Sequence, residues 1–295
     1  MKPKQRLLVL GFRVVWWLLP RLPEAPAKAA FNIVADVVWL LNGKGVQQLQ
    51  RNLALAVGRP VHDEAVRTLT RRGLRSYLRY WRELFSLTAW DAAEIDRRVQ
   101  VSGLTHLEAA RAAGKGVILV GPHAGSWDLA GAWLAQHYGT VTTVAEALEP
   151  RTLFEMFTAT RMAYGLEVLP HRGGPQPAFA VLMQRLRAGG IVGLVSDRDL
   201  SDRGVPVQFF GQSVGMPAGP ATMALRTGAT ILPVYLHNQG SQVIGEIHPP
   251  LLVEAGDDVA LVTQRMADAF ARDIARHPAD WHMLQPLTRG QVRGA

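Results

Sequence analysis

Beyond Val101 the chain alternates short apolar runs with helical patterns, and this alternation limits its possible folds more than any other feature. Strand signals fall at 115–120, 140–144, 166–169, 191–196 and 229–236, with helical patterns at 127–137, 151–164, 176–187 and 218–227 between them. Residues 242–248 read as an added antiparallel strand and 259–275 as a last helix. Strand and helix in turn predict an α/β fold, a central mostly parallel or mixed sheet flanked by helices. In such sheets function gathers at the carboxyl ends of the strands. The expected division is an N-terminal helical, membrane-associating region over 1–95 and a continuous α/β core over 96–295.

The N-terminal region opens on the greasiest stretch, residues 6–19, interrupted by Arg13 and ended by Pro20 and Arg21. Crossing a bilayer takes about 20 apolar residues, so this run is too short, and Pro20-Arg21-Leu22-Pro23 makes a poor signal-peptide cleavage site. A second run, 29–41, carries Asp36 in its middle. Basic flanks (Lys2, Lys4, Arg6) and the indoles of Trp16, Trp17 and Trp39 suit helices lying in the interface, aromatics at headgroup depth. Both runs also suit core helices, and the two readings are compatible.

Composition sharpens the choice. The chain is 48% hydrophobic and 19% charged, too apolar for disorder. Its 32 Lys+Arg against 24 Asp+Glu give a formal charge of +8. A positive, apolar chain points to membrane surfaces more than to nucleic acid, since no stacking platform accompanies the charge. Within 45–87, Arg71, Arg75, Arg79 and Arg82 fall at i, i+4, i+8 and i+11, one stripe of a helix. That stripe reads either as headgroup-facing or as a solvated face paired with Glu83 and Glu94. The chain has no cysteine, which removes disulfides, thiolate metal sites and Cys nucleophiles together.

The loop after the first strong strand reads Gly121-Pro122-His123-Ala124-Gly125-Ser126-Trp127-Asp128. On one continuous helix His123 and Asp128 would stand roughly 140° apart, so a turn must separate them. Gly125 permits it, Ser126 is a plausible N-cap, and Asp128 in the first helical turn can reach back. An imidazole held by a carboxylate is a general base. With no Cys and no G-x-S-x-G elbow, the nucleophile is expected to be a substrate hydroxyl. Taken alone, H-x4-D also fits a loop histidine beside a helix-capping aspartate.

The wider order of motifs decides between these. RNLALA (51–56), RSYLRYWRELF (75–85), GPHAGSWDLAG (121–131), EALEPRTLFEMF (146–157), GLEVLP (165–170), SDRDLSDRGVPVQFFG (196–211), PAGPATMALRTGATILPV (217–234) and HPADWHML (277–284) follow one another. In that order they resemble the lysophospholipid acyltransferase superfamily. More narrowly they are similar to its lipid A acyltransferase-like branch and, within it, the phosphatidylinositol mannoside acyltransferases. The resemblance implies His123 as base, Asp128 as its partner, and a further acid, a Glu in some members, at Asp197, with Asp199 as a rival. It implies a groove lined by Phe209, Phe210 and Gly211. Arg161, Arg172, Arg198 and Arg203 stand near the loops where anionic substrate groups would bind. The E-G-T-R block of glycerol-phosphate acyltransferases is missing; Asp-Arg-Asp-Leu stands in its place.

The implied reaction is transfer of a long acyl chain from acyl-CoA, a co-substrate, to a mannose hydroxyl of a phosphatidylinositol mannoside, with no cofactor and no metal. Helix-terminal amides near Ser126, or Arg161 or Arg198, would meet the oxyanion. The expected partners are acyl-CoA, the glycolipid and an anionic membrane surface, with no nucleic acid. The protein is expected as a peripheral, monotopic monomer on the cytoplasmic face of the plasma or inner membrane. A lipid A-type enzyme using an acyl carrier protein donor shares these residues. A metal hydrolase built from His123, Asp128, Asp197, Asp199, His237 and His282 lacks H-x-H or H-E-x-x-H spacing. A non-enzymatic lipid-binding protein is the remaining alternative.

Overall fold

A computed structural model describes residues 3–199 and 204–287. Its helices are α1 Pro3–Leu18, α2 Glu24–Leu41, α3 Lys44–Val57, α4 Glu64–Ser86, α5 Ala92–Arg98, α6 Leu104–Ala112, α7 Trp127–Tyr138, α8 Arg151–Ala163, α9 Ala178–Arg187, α10 Gly219–Thr227 and α11 Val259–Arg276. Its strands are β1 Val99–Ser102, β2 Val117–Gly121, β3 Val141–Ala145, β4 Leu166–Pro170, β5 Ile191–Val195, β6 Val205–Phe209, β7 Gln212–Met216, β8 Thr230–Gln239 and β9 Gln242–Ile247.

Seven strands form one sheet in the order β1-β9-β8-β2-β5-β3-β4. The run from β8 to β4 is parallel, β9 turns back antiparallel to β8, and β1 pairs parallel with β9. The expected mostly parallel sheet is therefore present. β2 is the clearest case of sequence dictating position: Val117, Ile118, Leu119 and Val120 are all buried, because helices cover both faces of a parallel sheet. The edge strand β1, the short helix α6 and the separate β6–β7 hairpin were not expected. The hairpin turns on Phe210 and Gly211, with φ of 50° and 72°, the left-handed pair that a two-residue connection requires.

Several helix starts are capped by side chains: Asp63, Asp91 and Asp258 accept from backbone N–H groups of the first turns of α4, α5 and α11. Among the described residues no helix is long and apolar enough to cross a membrane. α1 and α2 pack on the rest of the chain by one face only. Phe12 and Trp16 meet Phe85 and Phe157, with Trp16 lying 4.9 Å from each ring. Trp16 therefore faces inward, and Trp39 lies beneath Arg71; of the three indoles, Trp17 alone is exposed. The opposite faces leave Leu7, Leu10, Val14, Ile33, Leu40 and Leu41 in solvent.

Every member of the Arg stripe of α4 is paired with a carboxylate. Arg71 and Arg75 both grip Asp36 of α2 in two-pronged bonds of 2.6–2.9 Å, which hold that carboxyl well below the usual range. Arg79 binds Glu83 at 2.6 Å, and Arg82 lies against Glu83 and Glu24. The pairing with Glu83 matches one expectation for this face; Glu94 instead takes Arg97 and Arg98.

Candidate active site

The register of two neighbouring strands builds the centre of the site. Gly121 at the end of β2 pairs with Val195 at the end of β5, and Ser196 N–H donates to the Gly121 carbonyl at 2.8 Å. Two residues further on each strand stand His123 and Asp197, which are thereby neighbours at the carboxyl edge of the sheet. Asp197 Oδ1 lies 2.5 Å from His123 Nδ1. Its Oδ2 accepts from His123 backbone N–H at 3.0 Å and from the Trp281 indole N–H at 2.8 Å. Burial alone would raise the Asp197 carboxyl, but the adjacent imidazole and these donors hold it below its ordinary value. A carboxylate there makes Nδ1 the protonated nitrogen and leaves Nε2 with a lone pair. Nε2 has no hydrogen-bond partner among the described residues, and the ring, 31% exposed, faces the cavity described below.

The C-terminal segment clamps this loop. His282 N–H donates to the His123 carbonyl at 2.7 Å and Gly125 N–H to the Asp280 carbonyl at 2.9 Å. Gly125 is required here: its φ is +58°, and a Cβ would sit 2.7 Å from the Leu236 carbonyl oxygen. Ser76 Oγ donates to Asp280 at 2.7 Å, so the His282 Nε2–H, 2.8 Å away, donates to Ser76. Burial, and after it the nearby His123, push His282 down to about 3.

Asp128 does not hold His123. Its Oδ2 accepts from the Tyr80 hydroxyl at 2.8 Å, and its two oxygens take Arg161 Nε and Nη2 at 2.5 and 3.0 Å. As the second residue of α7 it points along that helix to α4 and α8, whereas His123 lies before the turn on the β5 side. Burial raises the Tyr80 hydroxyl well above its usual value, so it is a donor throughout the working range. Ser126 is not a side-chain cap either; its hydroxyl is given to Glu83 of α4.

A cavity of about 450 Å³ opens at His123 and runs between the sheet and α7. Tyr80, Trp127, Asp128, Arg161 and His282 line its polar mouth; Leu119, Leu134, Val141, Leu166 and Ile247 line its apolar depth. Gly131, Gly193 and Gly245 also line it, and each would bring a Cβ to 3.4 Å from a neighbouring aliphatic carbon. Small residues on facing elements thus keep a channel open beneath the helix.

A carboxylate-held histidine thus stands at a polar mouth over an apolar channel. A family model described as bacterial lipid A biosynthesis acyltransferase matches residues 2–289. The chain belongs to that family. It is 44% identical to the phosphatidylinositol mannoside acyltransferase of Mycolicibacterium smegmatis, over 94% of this chain and 90% of that one. Against the protein of the same name from Mycobacterium tuberculosis H37Rv it is 45% identical over 92% and 85%. The lipid A biosynthesis acyltransferase of Haemophilus influenzae is 24% identical over 68% and 62%.

Within this acyltransferase the other expected residues divide. Arg161 and Arg198 line the cavity, Arg198 paired with Glu146 at 3.3 Å. Arg172 is exposed between β4 and α9 and is not among the lining residues, and Arg203 lies outside the described residues. Asp199 accepts from Gly204 N–H at 2.8 Å rather than from His123. Phe209 and Phe210 do not line the cavity: they pack behind Trp281, with ring centres 6.0 and 5.8 Å from it, and Gly211 completes their hairpin turn. Tyr80, Ser76 and Trp281 escaped the sequence reading as site residues. The clue was there, since RSYLRYWRELF and HPADWHML stand among the motifs, but nothing in either says that they meet over the loop of His123.

Proposed function

We propose that this acyltransferase moves a long-chain fatty acyl group from acyl-CoA to a mannose hydroxyl of a phosphatidylinositol mannoside. The observation that carries the reading is the His123–Asp197 pair at the mouth of the channel, and relatives named phosphatidylinositol mannoside acyltransferase support it. His123 Nε2 takes the proton of the mannose hydroxyl as its oxygen attacks the thioester carbonyl. The tetrahedral intermediate collapses, the C–S bond breaks, and the imidazolium returns the proton to the departing thiolate of coenzyme A. No acyl-enzyme forms. Asp197 fixes the tautomer and stabilises the imidazolium. Asp128 positions rather than activates: it sets Tyr80 and Arg161 at the mouth, where their donors meet acceptor hydroxyls or developing negative charge. The apolar channel takes the acyl chain.

The protein works as a monomer on the cytoplasmic face of the membrane, attached by the exposed apolar faces of α1 and α2. Such faces bind a bilayer without spanning it.

The donor and acceptor are tested together. Purified protein is given labelled palmitoyl-CoA or palmitoyl-acyl carrier protein, with mannosylated phosphatidylinositol or a lipid A precursor. Product from the first member of each pair supports the reading. Product from the carrier-protein donor and the lipid A precursor alone overturns it in favour of a lipid A-type enzyme.

A further inference from the structure

A second cavity, about 290 Å³, lies apart from the catalytic channel between α2, α4 and the β8–β9 turn. Lys28 and Asn32 of α2 face Arg72, Arg75, Arg79 and Arg82 of α4 across it. Five cations thus line the cavity against two carboxylates, Glu24 and Asp280. Arg75, Arg79 and Arg82 are engaged by Asp36, Glu83 and Glu24, whereas Lys28 and Arg72 have no ion-pair or hydrogen-bond partner among the described residues. Both are exposed at the rim.

The position of this rim gives the charge its meaning. On α2, Lys28 and Asn32 are one turn apart and form a polar edge between the packed face of Ala27 and Ala35 and the exposed face of Ile33, Val37, Leu40 and Leu41. The last four are 47–76% exposed. An apolar helix face bordered by unpaired cations over a concave basic cavity has the layout of an acyl-chain layer bordered by phosphate. Arg offers a planar fork to phosphate oxygens and Lys a point charge.

We infer that this cavity is a binding site for the phosphate of an anionic phospholipid headgroup, held by Lys28 and Arg72 while the apolar face of α2 rests in the same leaflet. The inference rests on the membrane attachment proposed above. It adds a stereospecific contact to what would otherwise be diffuse attraction. The cavity also shares Ser76 and Asp280 with the chain of bonds reaching His282 at the catalytic mouth, so the headgroup sits one side chain away from the reacting histidine's neighbour.

Vesicle binding tests it, with wild type beside K28Q/R72Q and beside K115Q/R187Q, which removes two exposed charges elsewhere. Vesicles of phosphatidylcholine, with and without phosphatidylinositol, are compared by flotation. At about 1 kcal/mol for each basic group near a charged surface, K28Q/R72Q should bind phosphatidylinositol vesicles on the order of thirtyfold more weakly. K115Q/R187Q should change little. Equal losses in both double variants, or no gain from phosphatidylinositol in wild type, overturn the site. Failure of the attachment itself reads differently: L40E/L41E would then leave binding to all vesicles unchanged. In that event soluble glycerophosphoinositol decides the cavity, its binding to wild type and not to K28Q/R72Q sustaining the site and equal binding to both ending it. Displacement of vesicles by inorganic phosphate or coenzyme A as readily as by glycerophosphoinositol would assign the cavity to soluble phosphates and overturn the lipid assignment.

Discussion

Asp197, two residues beyond the end of β5, is the carboxylate that meets His123, its Oδ1 2.5 Å from Nδ1. Three donors converge on that one buried carboxylate. The aspartate reaches His123 because the paired ends of β2 and β5 bring the two loops into contact.

Replacing Asp197 by Asn keeps the shape but removes the charge that fixes the His123 tautomer. Turnover should fall by roughly three to four orders of magnitude with little change in donor KM. Steady-state kinetics on the purified variant check this, and an activity within tenfold of wild type would show that His123 needs no carboxylate.

Asp128→Asn should behave differently. It leaves the Arg161 guanidinium, mostly buried and otherwise bonded to that carboxylate, without its counter-charge, a cost of about 3–5 kcal/mol. Urea denaturation measures the loss. Tyr80→Phe, which removes one hydrogen bond to the same carboxylate, should cost only about 1 kcal/mol. Because neither residue touches His123, the residual activity of both variants should keep the wild-type pH profile.

These contrasts show where sequence reasoning reached and where it stopped. Continuous apolar runs such as Val117–Val120 announce buried parallel strands, since both faces must be covered, but their order in the sheet, set by the crossovers, was not legible from the alternation. The edge strand β1 is short and half-exposed, and so carries no such signal. Histidine and aspartate five residues apart suggested a pair because proximity along the chain is visible. The contact that forms joins residues 74 positions apart, which only strand register can reveal. The same limit explains Phe209 and Phe210: a hairpin turn fixes their direction, and it points them at Trp281 instead of the channel.

The channel should measure acyl length. Gly193 lines it, and a Cβ there would already meet Val141 Cγ1 at 3.4 Å. Gly193→Val adds branched carbon to the channel wall and should shift donor preference from long toward shorter acyl-CoA while sparing turnover with the short donors. Rates across a series of acyl-CoA lengths check it; an unchanged preference would place the chain elsewhere.

Stability should decline on the acid side for a stated reason. His282 is pushed from its ordinary 6.5 to about 3 by burial, so the unfolded chain binds a proton that the folded one refuses. The contribution is complete above pH 6.5 and is lost progressively as pH falls toward 3. Asp197, also lowered, from 3.8, adds a further loss as pH falls through its folded value. Urea midpoints against pH should slope downward below 6.5 in wild type and flatten between 6.5 and 4 in His282→Gln.

The central claim is that His123 itself drives acyl transfer to a substrate hydroxyl. Its most direct test is product formation from labelled palmitoyl-CoA and mannosylated phosphatidylinositol by wild type and His123→Ala under single-turnover conditions. The account predicts acylated glycolipid from wild type without any protein-bound label, and product lower by at least about a thousandfold from the variant. Undiminished product from His123→Ala, or label held covalently by the wild-type protein before product appears, would contradict it.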